Sequence, residues 1–137
     1  MAQHQTPTTL EKYLEDIIYI LRYPAEFDEY QTIHKFKKLP KNTDQELQTK
    51  RIVNRIIWYI LRLWYTSDNE KIWEFHLYDT WTYITILLEA IKQNNQQKII
   101  DMEKNCKNKE KGDPHLINLI QEIGARTRAL IFSEGGS

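Results

Sequence analysis

Cysteine, glycine and net charge are all scarce in this sequence, and each scarcity removes a class of function. One of the 137 residues is cysteine, Cys106. That excludes an internal disulfide and a cysteine-built zinc site, and it fits a reducing, cytoplasmic setting. The four glycines are Gly112, Gly124, Gly135 and Gly136, and none falls in a phosphate-cradling pattern. The longest unbroken apolar and aromatic run is residues 56–61, far below the ~20 residues that a membrane span needs. The opening Met1-Ala2-Gln3-His4-Gln5-Thr6-Pro7 has neither a basic start nor an apolar run, which predicts no secretory leader. His4, His34, His76 and His115 give no pair at the i, i+4 spacing of a helical zinc site. No arginine is followed four to six residues later by a histidine, the pattern of helical-bundle ribonucleases.

What is present is a folded composition, 41% hydrophobic and 28% charged. Lys plus Arg and Asp plus Glu number 19 each, so the formal charge is zero, but the signs are segregated. Residues 11–29 carry six acids against Lys12 and Arg22, whereas residues 35–62 carry eight bases against Asp44 and Glu46. An acidic face and a basic face follow, which bears on partners more than the overall charge does.

Helical period dominates the chain. Thr8-Thr9-Leu10-Glu11 has the form of a capping box. Beyond it Leu10, Tyr13, Leu14, Ile17, Ile18 and Leu21 make one apolar stripe that Pro24 terminates. Pro24 suits the first position of a second, shorter helix with Phe27, Tyr30 and Ile33 on one side. Residues 37–42 form a basic loop around Pro40 and Asn42. Thr43-Asp44-Gln45-Glu46 is a second capping box, and Val53, Ile56, Ile57, Ile60, Leu61 and Trp64 are the inner stripe of the helix it opens. Ile52, Tyr59 and Leu63 widen that stripe, predicting a central helix with several neighbours. Ser67-Asp68-Asn69-Glu70 reads as a third box across a short turn. Trp73, Leu77, Trp81, Ile84, Leu88 and Ile91 continue in a fourth helix, expected to pack antiparallel on the third. Asn94 and Asn95 break it, Ile99, Ile100 and Met102 mark a short continuation, and residues 104–111 read as a charged loop. Asp113-Pro114 starts a last helix through about Phe132, carrying Leu116, Leu119, Ile120 and Ile123 inward. The expectation is an all-α fold, a single helical bundle of five or six helices spanning residues 1–137, with 1–7 and 133–137 as flexible tails.

Residues with chemical potential are few. His76 and Asp79 share a helix face and can act as a base pair or bind a metal, although a histidine bonded to a carboxylate at a core margin explains them as well. Lysine neighbours can lower the pKa of Cys106, but a lone cysteine beside a loop lacks a catalytic context. The acid pairs Glu15 with Asp16 and Glu26 with Glu29 lie outside the apolar stripes and read as solvated surface. These readings predict no catalytic site, no metal and no cofactor.

The basic segment is more informative. Lys35, Lys37, Lys38 and Lys41 surround a loop, and Lys50, Arg51, Arg55 and Arg62 follow on the next helix. Arg51, Arg55 and Arg62 fall on one face and can track a phosphate backbone. Arg126 and Arg128 extend that surface if the last helix packs beside the third. The same bases can instead pair with the acidic first helix. Aromatic residues, among them four tryptophans and eight tyrosines, concentrate in residues 58–83. They read mainly as core, with some available to anchor a partner or to stack on bases.

In size, in the capped helix of residues 8–21, in the basic segments 35–41 and 50–62, and in a final helix with Arg126 and Arg128, the chain resembles the helical small subunit of CRISPR effector complexes of the Cascade type. The resemblance implies a non-catalytic, cytoplasmic subunit of an antiviral defence assembly. Such a subunit touches RNA and single-stranded DNA through phosphates, without sequence specificity, and lies among other protein subunits. The alternative is a protein–protein adaptor or self-associating bundle with no nucleic-acid role.

Overall fold

A computed structural model describes residues 7–26, 28–66, 70–108 and 113–132. The first apolar stripe folds as α1, Pro7–Arg22, with Leu10, Leu14, Ile17 and Leu21 buried. The helix begins at Pro7 because proline's fixed φ suits a first turn and its missing N–H would have no partner there. Thr8 lies within α1, the side chain that the first capping box depends on lies outside what the structure describes, and residue 7 belongs to α1 and not to a tail. The tails expected at 1–6 and 133–137 lie outside the described residues.

Pro24 opens only a 3-10 turn, Pro24–Glu26. The helix proper, α2, is Glu29–Lys37, and Asp28 caps it by accepting from the Gln31 backbone N–H at 3.0 Å. That carboxylate restarts the chain where Pro24 alone does not. The inward residues are Thr32 and Phe36, with Ile33 partly buried, whereas Tyr30 is 77% exposed. Phe27 lies outside the described residues.

The second capping box forms as its residues dictate. Glu46 N–H donates to Thr43 Oγ1 at 3.0 Å, and Glu46 Oε1 accepts from the N–H groups of Asn42 and Thr43, both at 3.1 Å. It opens α3, Asp44–Thr66, which buries Ile52, Val53, Ile56, Ile57, Tyr59, Ile60, Leu61 and Leu63, with Trp64 half-buried. The proposed box at Ser67 lies outside the described residues. α4, Glu70–Lys92, buries Leu77, Ile84, Leu88 and Ile91 as its period requires, and also Thr80, Tyr83, Leu87 and Ala90.

Asn94 takes a left-handed φ of 52°, and Asn95 caps α5 by accepting from the Lys98 N–H. α5 is Gln96–Lys107, so the first part of the segment expected as a loop is helical. Ile99, Met102 and Cys106, at i, i+3 and i+7, are all buried and hold it in place. α6, Pro114–Ile131, starts as the Asp113-Pro114 signal requires, with Asp113 accepting from the His115 N–H at 3.0 Å.

The fold is an all-α bundle of six helices among the described residues, none of them long and apolar enough to cross a membrane. Its pairing departs from the order of the chain. α4 packs chiefly on α1 and α5, and α6 lies against both α3 and α5. Contact between α3 and α4 is slight, so the antiparallel pair expected there is not the main packing unit. The width of α4's buried surface explains this, because it serves α1 on one side and α5 on the other.

Candidate nucleic-acid interface

The ten basic residues divide by what their side chains already hold. Lys35 turns to the acidic first helix, at 2.8 Å from Asp16 and 5.5 Å above the Phe36 ring. Lys50 donates to the backbone carbonyls of Lys37 at 3.0 Å and Leu39 at 3.3 Å, stitching the end of α2 to α3. Arg128 makes a two-pronged bond to Glu103 on α5, each contact 2.8 Å, and that bond raises the guanidinium's already high pKa. These three are structural: acids inside the fold hold Lys35 and Arg128, and backbone carbonyls hold Lys50.

Lys37, Lys38, Lys41 and Arg51 are exposed, and among the described residues no hydrogen bond or ion pair engages their charged groups. Because Lys50 ties α2 to α3 beside Arg51, the four share one end of the bundle.

The arginines of α3 continue from that end along α6. Arg55 Nε donates to Glu122 Oε1 at 2.7 Å, and Arg62 Nη2 stands 3.0 Å from His115 Nε2. As the α3 number rises from 55 to 62 its α6 partner falls from 122 to 115, so the helices run antiparallel. Glu122 also accepts from Arg126 Nε at 3.0 Å. Desolvation pushes the Glu122 carboxyl up, but the bonds and charges of Arg55 and Arg126 outweigh it and hold the pKa below the ordinary value. Two guanidiniums on one carboxylate leave one positive charge in excess. Arg62 keeps its whole charge, because its partner is an imidazole and not a carboxylate, and a guanidinium only donates, so in this contact Nε2 is the acceptor. Asp113 lies at the same end, bonded to Tyr59 Oη at 2.7 Å and to the His115 N–H. Burial and then that bond push the Tyr59 phenol up, so it remains a donor.

The aromatic residues of 58–83 split: Tyr59 and Tyr83 are core, Trp64 and Trp81 pack against it, and others turn outward. Trp58 is 64% exposed and Tyr65 69%, and Phe75 and Tyr78 on α4 also face outward. The signal was in the spacing: 51, 55, 58, 62 and 65 fall on one face of a helix, opposite the inner stripe. The exposed row of α3 therefore reads Arg51, Arg55, Trp58, Arg62, Tyr65.

The remaining candidates disperse. Cys106 is buried, and burial with the nearby Glu103 charge pushes its thiol up more than Lys107 lowers it, which overturns the activated-thiolate reading. Glu15 pairs with Lys92 and Asp16 with Lys35, so that acid pair diverges. His76 Nδ1 is buried without a hydrogen-bond partner, and Asp79 is buried on the same helix. Among the described residues no group of three His, Cys, Asp or Glu side chains converges to hold a metal. Near the end of α1, Leu21, Pro24, Leu77, Tyr78 and Trp81, with Arg22 and Glu74 at the rim, line an open groove of about 350 Å³. Comparison with family models, with curated proteins and with solved structures yielded no match.

Proposed function

We propose that this protein is a non-catalytic helical subunit of a nucleoprotein assembly, the role implied by its resemblance to a CRISPR effector small subunit. It contacts nucleic-acid backbones through charge and does not read base sequence. One observation carries the reading: the charged groups of Lys37, Lys38, Lys41 and Arg51 are exposed and engaged by no hydrogen bond or ion pair among the described residues. The excess charge along α3 and α6 extends it. Lysines beside phosphates release counterions, so binding falls steeply with salt. Charge reversal of Lys37, Lys38 and Arg51 together should abolish most binding to DNA and RNA and flatten the salt dependence by about three contacts' worth. Unchanged affinity in that variant, measured by fluorescence anisotropy, would remove the proposal.

A protein-facing role has its own observation in the exposed Tyr19 on α1, Tyr23 just after it, and Phe75 and Tyr78 on α4. Aromatic side chains concentrate interface energy. A homo-oligomer in light scattering that ignores added nucleic acid and dissociates in Tyr78→Ala would favour that reading.

A further inference from the structure

We propose that Trp58 is a stacking platform that makes unpaired nucleotides the ligand of the α3–α6 face. The inference rests on the nucleic-acid reading above and adds to its phosphate contacts a side chain that meets the bases. An indole is among the costliest side chains to leave in water, because it offers a large apolar face. In α3 the inner stripe already buries Tyr59, Ile60 and Leu63, so Trp58 contributes nothing to that core and is 64% exposed. Its position is not isolated. Arg55 lies one turn before it and Arg62 one turn after it, and α6 holds each of them, through Glu122 and His115. The guanidiniums are therefore fixed on both sides of the indole before any ligand arrives.

On α6 the residue between His115 and Glu122 on that face is Asn118, which is exposed. A flat ring, two pre-positioned guanidiniums and a side-chain amide form a surface for a base and its flanking phosphates. A duplex cannot use the ring, because its bases are stacked on one another and only the backbone reaches the protein. A single strand can turn a base onto it, and every base has a π-face, so the contact carries no sequence preference. Arg51, about 10 Å along the helix at 1.5 Å per residue, continues the row toward the lysine end and gives the strand a direction to follow. The lysine end thus supplies affinity for any nucleic acid, and Trp58 supplies the preference for an unpaired one.

The test uses the full chain, a labelled oligothymidylate and a duplex of equal length. Trp58→Ala should weaken single-strand binding about ten-fold, the range that stacking of one base allows, and leave duplex binding and the salt slope unchanged. Trp58→Phe should keep most of the affinity while losing the quench of exposed-indole fluorescence that the wild-type chain shows on binding. Unfolding midpoints of both variants should match the wild type, since the side chain lies outside the core. Equal single-strand affinity in wild type and Trp58→Ala, with the lysine-end reversal still abolishing binding, would overturn this inference and leave the backbone reading intact. Loss of duplex and single-strand binding alike in Trp58→Ala would also overturn it, because the ring would then serve the surface and not the base. Indifference of the lysine-end reversal would overturn both.

Discussion

α6 has two flanks, and each is zipped to its neighbour by an arginine and a glutamate, with opposite consequences. On the α5 side one carboxylate meets one guanidinium through two bonds, Glu103 to Arg128, with side-chain exposures of only 15% and 29%. Gly124 sits against that pair and leaves room for it. On the α3 side one carboxylate serves two guanidiniums, and the next arginine faces an imidazole. The first seam is charge-balanced and shielded, whereas the second is more exposed and positive. A surface arginine within reach of an acid is therefore not enough to assign it to structure or to ligand. The ratio of charges across the seam, and the exposure of the pair, decide which it is.

The largest expected effect comes from breaking the closed seam. A Cβ at Gly124 would stand 2.6 Å from Glu103 Oε2 and 2.7 Å from its Cγ, and Glu103 cannot swing aside without leaving Arg128. Gly124→Ala should destabilise the protein by about 1–2 kcal/mol in urea unfolding, the disruption of a partly shielded pair less the helix propensity that alanine gains over glycine. In a Glu103→Ala background the same substitution should change sign and stabilise by up to about 1 kcal/mol. A stabilising Gly124→Ala with Glu103 present would mean that the seam rearranges freely and that the contrast between the two flanks is unsound.

A smaller effect is expected from Glu122→Gln on the open seam. The folded-state carboxyl titrates below its ordinary value near 4.5, so its contribution to stability is present above that pH and is lost as pH falls through the lower, folded value. The variant should lose less than about 1 kcal/mol at neutral pH, because the pair is a third exposed and screened. Below pH 4.5 its stability should converge with that of the wild type. It should also bind nucleic acid more tightly, since Arg55 and Arg126 are then without their counter-charge, and its salt slope should steepen by about one contact. Weaker binding in Glu122→Gln would show that the carboxylate positions the arginines more than it masks them.

The helices were legible where a capping side chain met an apolar period, and less so at Pro24, which opens only a 3-10 turn before the Asp28 cap. The box at Thr43, the Asp113-Pro114 start and the break at Asn94 and Asn95 all lie where local chemistry alone requires them. α5 was read too short because Cys106, its last inward residue, stands among lysines and asparagines, and the stripe shows only if cysteine is counted as apolar. Helix pairing was not legible. Short connections favour adjacent packing, but the buried width of α4 let α1 and α5 outcompete α3. For the site, sequence placed Arg51, Arg55 and Arg62 on one row of α3 and, if the last helix packs beside it, Arg126 and Arg128 with them; Arg126 meets Glu122 there, but Arg128 turns to Glu103 on α5. Sequence could not tell Lys35 and Lys50 from Lys37 and Lys38. What separates them is an acid on another helix for Lys35 and the carbonyls at the end of α2 for Lys50. Trp58 is absent from the inner stripe of α3, and its spacing from Arg51 and Arg62 puts it on the outer row, but reading the aromatic cluster as mainly core did not single it out.

The smallest effect is the most direct conversion of one seam into the other. His115→Glu places a carboxylate where Arg62 now meets an imidazole. The new side chain lies in the first turn of α6, where a negative charge is favoured by the helix dipole and opposed by Asp113 two residues earlier. These influences offset, so the unfolding midpoint should hardly move. Binding should change instead. With Arg62 paired, the face loses one uncompensated charge, and the salt slope should fall by about one contact while Trp58 remains exposed. Single-strand preference over duplex should then persist at lower overall affinity, because the ring and the charges contribute separately. If His115→Glu abolished the preference itself, the indole and Arg62 would be acting as one unit. The imidazole would then be what keeps that unit open, since it holds the guanidinium in place without cancelling its charge.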